Sequence, residues 1–314
     1  MQTINRVRAR ARRLFLASAM RSALACWLLV AVDALTNSKA PLDVAISAAR
    51  AAGSHLVTRV GAEPIATKLD AADLVTTVDK ECEEIIGSHV RAAFPSHALL
   101  GEESVEPGID AAMAALATLQ QEAEWLWIVD PIDGTTNFVS GMPLSAVSIG
   151  ITHAGERMGA VVYDPFRDEL FTAWRGEGAM LNGQRMRTSC VETLAEAVLC
   201  ACSPHRPAAM APALRSIAAV MPRARSVRIL GSGVLNFAWV ACGRLAAYWE
   251  PELAPWDSAA GTLLIEEAGG TVSDMDGSPY VLSTRAVLGC ASGIHHELQQ
   301  TLAEAEAVKC EDVL

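Results

Sequence analysis

The chain has no surplus of positive charge, no dense cysteine spacing, no internal repeat, no low-complexity tract beyond alanine enrichment, and no uninterrupted apolar run of membrane-spanning length. Each absence removes a class of protein. A formal net charge of −11 argues against a general nucleic-acid binder, whose phosphate contacts need Lys and Arg, and makes cations the natural charged partner. The eight cysteines, at 26, 82, 190, 200, 202, 242, 290 and 310, are scattered and read as reduced, mostly buried thiols rather than a disulfide framework. Cys200 and Cys202 stand close together, but they lie in an apolar run with no second pair at zinc-like spacing. Gly231-Ser232-Gly233 lacks the third glycine and the spaced acid of a dinucleotide loop.

Acid is also missing from the N-terminus. No Asp or Glu precedes Asp33, while Arg6, Arg8, Arg10, Arg12, Arg13 and Arg21 lead into an apolar stretch from Ala23 to Leu35. That stretch is too short and interrupted for stable membrane insertion, so residues 1–40 read as an N-terminal extension with the character of a targeting segment. A cytoplasmic protein is expected, or a chloroplast or mitochondrial one if the Arg-rich end is a transit peptide.

What is present is a core. Of 314 residues, 51% are hydrophobic and 19% charged, enough for one large or two medium domains. The segment that organises the chain is Trp125 to Phe138, WLWIVDPIDGTTNF. An apolar run carries Asp130 to the end of a buried strand, and Pro131, which has no N–H to donate, is expected to stop strand pairing there. Asp133 follows, and Gly134 frees the backbone before Thr135, Thr136 and Asn137, residues suited to a helix start. Carboxylates at a strand end attract hard cations such as Mg²⁺, and the N–H groups of a new helix attract phosphate. The rival reading is an ordinary turn with Asp as cap and Gly as hinge.

Around this segment the pattern predicts a helix from Pro41 towards Val60, and a second after Thr76-Thr77, with Asp79, Glu81, Glu83 and Glu84 in its first turns. His97 to Leu100 reads as a strand running into Gly101-Glu102-Glu103-Ser104, and 106–124 as a soft helix or loop. The alternation at Val147, Ile149 and Ile151, then at 158–163 and 169–174, predicts an antiparallel meander. A boundary is placed near Ser189, giving halves 41–188 and 189–314, the second alternating strand and helix as a largely parallel α/β sheet would. Asp257 opens an Ala-rich helix, where an N-cap role would explain it without a metal. The arginines at 206, 215, 223, 225 and 228 read as a solvated surface, and His295-His296 as the exposed start of the last helix.

Taken together, GEES at Gly101 to Ser104, WIVDPIDGTTNF at Trp127 to Phe138 and PWDSAAGTLLIEEAGG at Pro255 to Gly270 resemble the inositol monophosphatase family, which carries these motifs in this order. The resemblance covers roughly Pro41 to His296. It implies an alternating α-β-α-β-α sandwich, with an antiparallel-sheet metal-binding α+β half at 41–188 and a substrate-binding α/β half at 189–314. It also implies a Mg²⁺-dependent, lithium-sensitive, homodimeric phosphomonoesterase with two or three ions per site.

Carried over by residue, the resemblance implies that Glu102, Asp130 and the backbone carbonyl of Ile132 bind one Mg²⁺, and that Asp130, Asp133 and Asp257 bind a second. A third ion would lie near Glu102, reached through water by Asp79. Asp79 and Thr135 would orient the attacking water, the N–H groups of Gly134 and Thr135 would hold phosphate, and Lys68 falls at the family's loop lysine. Glu250, with Gly231 and Ser232, matches positions that contact the polyol, favouring inositol monophosphate. Ala254 and the segment Ser203-Pro204-His205-Arg206 depart from the pattern and leave galactose 1-phosphate, histidinol phosphate, fructose 1,6-bisphosphate and adenosine bisphosphate open. A regulatory protein that keeps the fold but works by binding a partner is the competing reading, and the intact acids count against it.

Overall fold

A computed structural model describes residues 39–67, 74–204 and 207–308. The basic N-terminal segment up to residue 38, Lys68, the pair His205-Arg206, Cys26 and Cys310 lie outside the described residues. The chain divides after Ala40, and the architecture is that of the unit from Pro41 onward.

Helix α1 (Ala40–Val57) is followed by the small hairpin β1 (Ala66–Thr67) and β2 (Leu74–Val75), then by helix α2 (Thr77–Ala93). Ala45, Ala48, Ala49, Ala52 and Leu56 of α1 recur at helical spacing and are fully buried, a stripe of small residues that lets the helix lie close on a sheet. Val78, Cys82, Ile86 and Val90 do the same for α2, whose start is closed by a reciprocal cap between Thr76 and Asp79.

These two helices cover one face of a seven-stranded sheet of β3 (Ala98–Gly101), β4 (Trp125–Asp133), β5 (Ala146–His153), β6 (Glu156–Asp164), β7 (Glu169–Trp174), β8 (Gly178–Leu181) and β9 (Gln184–Arg185), in that spatial order. The β3–β4 pair is parallel, and every later pair is antiparallel, so the expected meander is present and longer than the sequence pattern suggested. The alternate residues Trp127, Val129, Val147, Ile149 and Ile151 face α1 and α2.

Between β3 and β4 runs helix α3 (Ile109–Glu122), and the short helix α4 (Thr135–Val139) leaves β4. The rest of the chain gives helix α5 (Pro207–Val220), helix α6 (Gly233–Ala241), helix α7 (Pro255–Glu267) and helix α8 (His295–Glu304). Its strands form a second sheet, β11 (Ser226–Arg228), β10 (Val198–Ala201), β12 (Ala247–Glu250), β14 (Val287–Cys290) and β13 (Thr271–Asp274), in that spatial order. Helices α6 and α7 form the central layer, where Phe237, Leu263 and Leu264 pack with Val162 and Phe171 of the first sheet and Tyr248 of the second. Residues from α5 and α8, among them Val220, Leu298 and Leu302, close the far face over Leu199, Trp249 and Leu288. The result is the expected α-β-α-β-α layering. Every residue of α7 from Pro255 to Ile265 except the half-buried Asp257 is buried, as a helix between two sheets requires.

Three expectations need correction. Pro131 does not end β4: the strand pairs again at Asp133 with Ala146 after a bulge that follows Asp130 opposite Ser148. Pro131 is tolerated because a bulge leaves an unpaired position, and the Ile132 N–H freed there donates to Asp130 Oδ1 at 3.0 Å. The second sheet is mixed rather than largely parallel. β10 pairs in parallel with β11 and β12, whereas β14 runs antiparallel to both β12 and β13. The alternation of strand and helix could not reveal that β14 enters the sheet without a preceding crossover helix. Finally, His295 is half-buried, with Nε2 2.8 Å from the Ser273 hydroxyl, rather than exposed.

Cys82, Cys200, Cys202 and Cys290 are buried and reduced, as expected. Burial pushes Cys82, Cys200 and Cys290 up to about 12, where they stay protonated and unreactive. No helix among the described residues is long and apolar enough to cross a membrane.

Candidate active site

Strand ends and helix starts converge on one place. β3 runs out at Gly101 and delivers Glu102, β4 delivers Asp130 and Asp133, β12 delivers Glu250, and the first turns of α2, α4, α6 and α7 supply Asp79, Thr135, Gly233 and Asp257. A cavity of about 410 Å³ opens between them, within the range of small-molecule sites. Glu102, Asp130, Ile132, Asp133, Gly134, Thr135, Gly231, Ser232, Glu250 and Asp257 all line it. Asp79 does not. It is buried behind Thr135 and reaches the cavity through that hydroxyl, 3.4 Å from Asp79 Oδ1.

The carboxylates of Asp130, Asp133 and Asp257 present oxygens that lie within 4.8 Å of one another. Among its described lining residues the cavity holds further acids, Glu102, Glu106, Glu250 and Glu252, and no Lys, Arg or His. Burial raises Asp133 to about 6, with Glu102 adding to the rise and hydrogen bonds from Ser232, Val234 and Gly233 opposing it. Burial also lifts Asp257 well above the usual carboxylate range, reinforced by the charges of Glu102 and Asp133. Clustered anions with rising proton affinity and only oxygen donors form the environment a hard divalent cation stabilises. The residues present therefore fit the Mg²⁺ that the motifs imply.

Each acid is aimed by a neighbour. Thr76 donates both its N–H (2.8 Å) and its hydroxyl (2.6 Å) to Asp79 Oδ2, which leaves Oδ1 facing Thr135. Thr135 also places its hydroxyl 3.0 Å from the Ile132 carbonyl. Asp133 accepts from the Ser232 hydroxyl and from the backbone N–H groups of Gly233 (3.2 Å) and Val234 (3.1 Å) at the start of α6. Asp257 is the third residue of α7 rather than its cap, and its Oδ2 accepts from the Ala254 N–H at 2.7 Å. Tyr248 donates to Glu250, which burial raises to about 8.

Gly134 makes the turn from strand to helix possible. Its φ is +82°, and a Cβ there would stand 2.8 Å from the Leu144 carbonyl oxygen and 3.1 Å from that of Gly231. Only glycine combines that conformation with that closeness.

Some contributors escaped the sequence reading. Glu83 accepts from the Glu103 N–H at 2.8 Å and from the Ser104 hydroxyl, so it pins the turn that carries Glu102. In the sequence it is one acid in a run of four, with nothing to separate it from solvent-facing neighbours. Tyr248 was detectable: two residues before Glu250 on a strand, it must share that residue's face. Ser232 was expected beside the substrate, and its hydroxyl is engaged with Asp133 while accepting from the Leu235 N–H at 3.3 Å. Asn236, buried and lining the cavity, carried no sequence signal.

Known proteins resemble this chain in sequence and in fold. The model of the inositol monophosphatase family matches residues 39–308. Inositol monophosphatase 2 of Solanum lycopersicum is 40% identical over 268 residues, covering 84% of this chain and 98% of that protein. The Nus factor SuhB of Pseudomonas aeruginosa is 40% identical over 243 residues, 76% of this chain and 86% of that protein. Among solved structures, a Thermotoga maritima IMPase superposes with a TM-score of 0.75 at 31% identity, covering 85% of this chain and 98% of that one. The extragenic suppressor protein suhB from Bartonella henselae reaches 0.76 at 35% identity, covering 84% and 98%.

Proposed function

The chain belongs to the inositol monophosphatase family and is a phosphatase of that family, and from that premise we propose that it hydrolyses inositol monophosphate to inositol and phosphate with Mg²⁺ as cofactor. The observation that carries the reading is the trio Asp130, Asp133 and Asp257, within 4.8 Å of one another in a cavity whose described lining has no basic side chain.

In this proposal Glu102, Asp130 and the Ile132 carbonyl hold one ion, and Asp130, Asp133 and Asp257 hold another, with a third near Glu102 and Asp79. Bound Mg²⁺ would neutralise phosphate charge and make a water easier to deprotonate. The protein supplies the positioning. Thr135, with its proton shared between Asp79 and the Ile132 carbonyl, has an oxygen lone pair left to orient the attacking water, and Asp79 is held behind it by Thr76. The N–H groups of Gly134 and Thr135 open α4, where a helix has donors without intrahelical acceptors, and they are assigned to the phosphate. Gly231, Ser232, Glu250 and Asp257 line the cavity and are assigned to the alcohol that leaves. Most of the acceleration then comes from in-line positioning and charge stabilisation, with no covalent phospho-enzyme.

Phosphate release from a panel of inositol, galactose, histidinol, fructose and adenosine phosphates, with and without Mg²⁺, tests the reading. Turnover of inositol monophosphate above the others is expected. Release no faster than that of Asp130→Asn on every ester would overturn it. The family resemblance adds a homodimer and inhibition by Li⁺, checked by light scattering and by titrating Li⁺ into the same assay. Residence in the cytoplasm, or in an organelle if the Arg-rich N-terminus is removed on import, is checked by N-terminal sequencing of the native protein. The name Nus factor, carried by SuhB relatives of comparable identity, motivates a second reading in which the fold also acts by binding a partner. Asp130→Asn would separate the two, losing hydrolysis and keeping association.

A further inference from the structure

Thr135 stands on a helix too short to hold itself. Helix α4 has five residues, far below the length at which an isolated helix is stable in water, so its place depends on ties to its surroundings. Asn137 supplies two of them. Its side chain is buried, and Nδ2 donates to the Leu144 carbonyl at 2.9 Å and to the Leu230 carbonyl at 2.8 Å. Both neighbours are carbonyl oxygens, so the nitrogen end of the amide must face them, and both of its protons are engaged.

The two carbonyls belong to distant parts of the chain. Leu144 lies on the link from α4 to β5, whereas Leu230 lies 93 residues beyond Asn137, in the irregular stretch between β11 and α6. That stretch ends at Ser232, whose hydroxyl donates to Asp133 and caps α6. The approach is close. A Cβ on Gly231 would stand 3.1 Å from the Asn137 amide nitrogen, and one on Gly134 would stand 3.3 Å from the Ser232 Cβ. The start of α4 therefore lies directly against residues 230–232, and the Asn137 amide is a hydrogen-bonded link across that contact. Without it the Leu230–Gly231 peptide is released beside the serine that aims Asp133.

We propose that Asn137 is a positioning residue: its side-chain amide ties α4 to the Leu230 carbonyl, which keeps the Ser232 hydroxyl on Asp133 and so holds that carboxylate in place for Mg²⁺. This rests on the Mg²⁺ cofactor and the ligand role of Asp133 proposed above. Asn137 acts at one remove, through Ser232. Outer partners that orient a ligand are worth about 10- to 100-fold in metal affinity, and residues that act along one line of contacts do not contribute additively.

The test is Mg²⁺ binding by calorimetry to four full-length proteins: wild type, Asn137→Ala, Ser232→Ala and the double variant. Asn137→Ala is expected to raise the Kd about tenfold, the lower end of the range for an outer partner. Added to Ser232→Ala, it should change the Kd by less than about twofold, because its path to Asp133 is already cut. A merely structural role would repeat its full effect in both backgrounds, and that result overturns the assignment, as does a wild-type Kd in Asn137→Ala. Asn137→Leu, close in size and without a donor, should match Asn137→Ala, which separates the lost hydrogen bonds from the space left behind. If both substitutions abolish folding by circular dichroism, Asn137 belongs to the fold alone and the proposal is overturned. A wild-type chain that binds no Mg²⁺ overturns the cofactor reading itself, and this role with it.

Discussion

Ser232 donates its hydroxyl proton to the carboxylate of Asp133, ninety-nine residues earlier in the chain. With the Gly233 and Val234 N–H groups it gives that carboxylate a fixed cradle, so the start of α6 aims an acid that belongs to β4. The same hydroxyl oxygen caps α6 by accepting from Leu235.

Ser232→Ala should therefore have two separable effects. Loss of an N-cap is expected to cost about 1 kcal/mol of stability, read as a lower Tm. Loss of the outer partner of a ligand should raise the Mg²⁺ concentration for half-maximal activity by roughly 10- to 100-fold. Unchanged Mg²⁺ dependence would mean that the backbone donors alone suffice to aim Asp133.

Asp130→Asn should divide stability from activity in opposite directions. The amide can still accept from the Ile132 N–H, and it removes one charge from a trio that crowds within 4.8 Å. The metal-free variant is expected to melt at or above the wild-type temperature, while phosphate release falls by at least about 100-fold, the upper end of what outer-sphere substitutions produce. A lower Tm without metal would mean that charge repulsion within the trio is not what limits its stability.

Glu83 gives a test of the turn that carries Glu102. Glu83→Ala leaves the Glu103 N–H and the Ser104 hydroxyl without this acceptor, at a cost of about 1–3 kcal/mol by the usual penalty for unmet buried groups. Weaker Mg²⁺ activation should accompany the lower stability. Glu83→Gln, which keeps a carbonyl acceptor, should recover part of both, and recovery of neither would show that the carboxylate charge is what matters.

The pH dependence follows from the buried acids. Asp133 rises from 3.8 to about 6 and Glu250 from 4.5 to about 8. A carboxyl raised in the folded state favours folding below its ordinary value, and that contribution is lost as pH climbs through the folded value. The metal-free protein should lose stability between pH about 4 and 8, Asp133 acting in the lower part of that window and Glu250 across it. Protons compete with metal for the same oxygens, so Mg²⁺ should raise Tm more near pH 8 than near pH 5. An equal Mg²⁺ shift at both would overturn this assignment of the titrating groups.

The chain itself determined whatever depends on neighbours a few residues apart. The buried stripes of α1 and α2, the meander of β5 to β7 and the capping pair Thr76 and Asp79 all follow from spacings that repeat every two, three or four residues. The nearness of Asp130, Asp133 and Thr135 is of the same kind. The exact motifs carried the family.

Tertiary structure alone decided the rest, because pairing and register are set between segments distant in sequence. It bent β4 past Pro131 rather than ending it, and ran β14 antiparallel into a sheet whose pattern suggested parallel strands. It set Asp257 beside Asp130 and Asp133, and chose Glu83 from a run of equivalent acids. A side chain acquires such a role only when burial removes water and a particular partner, or the lack of one, takes its place.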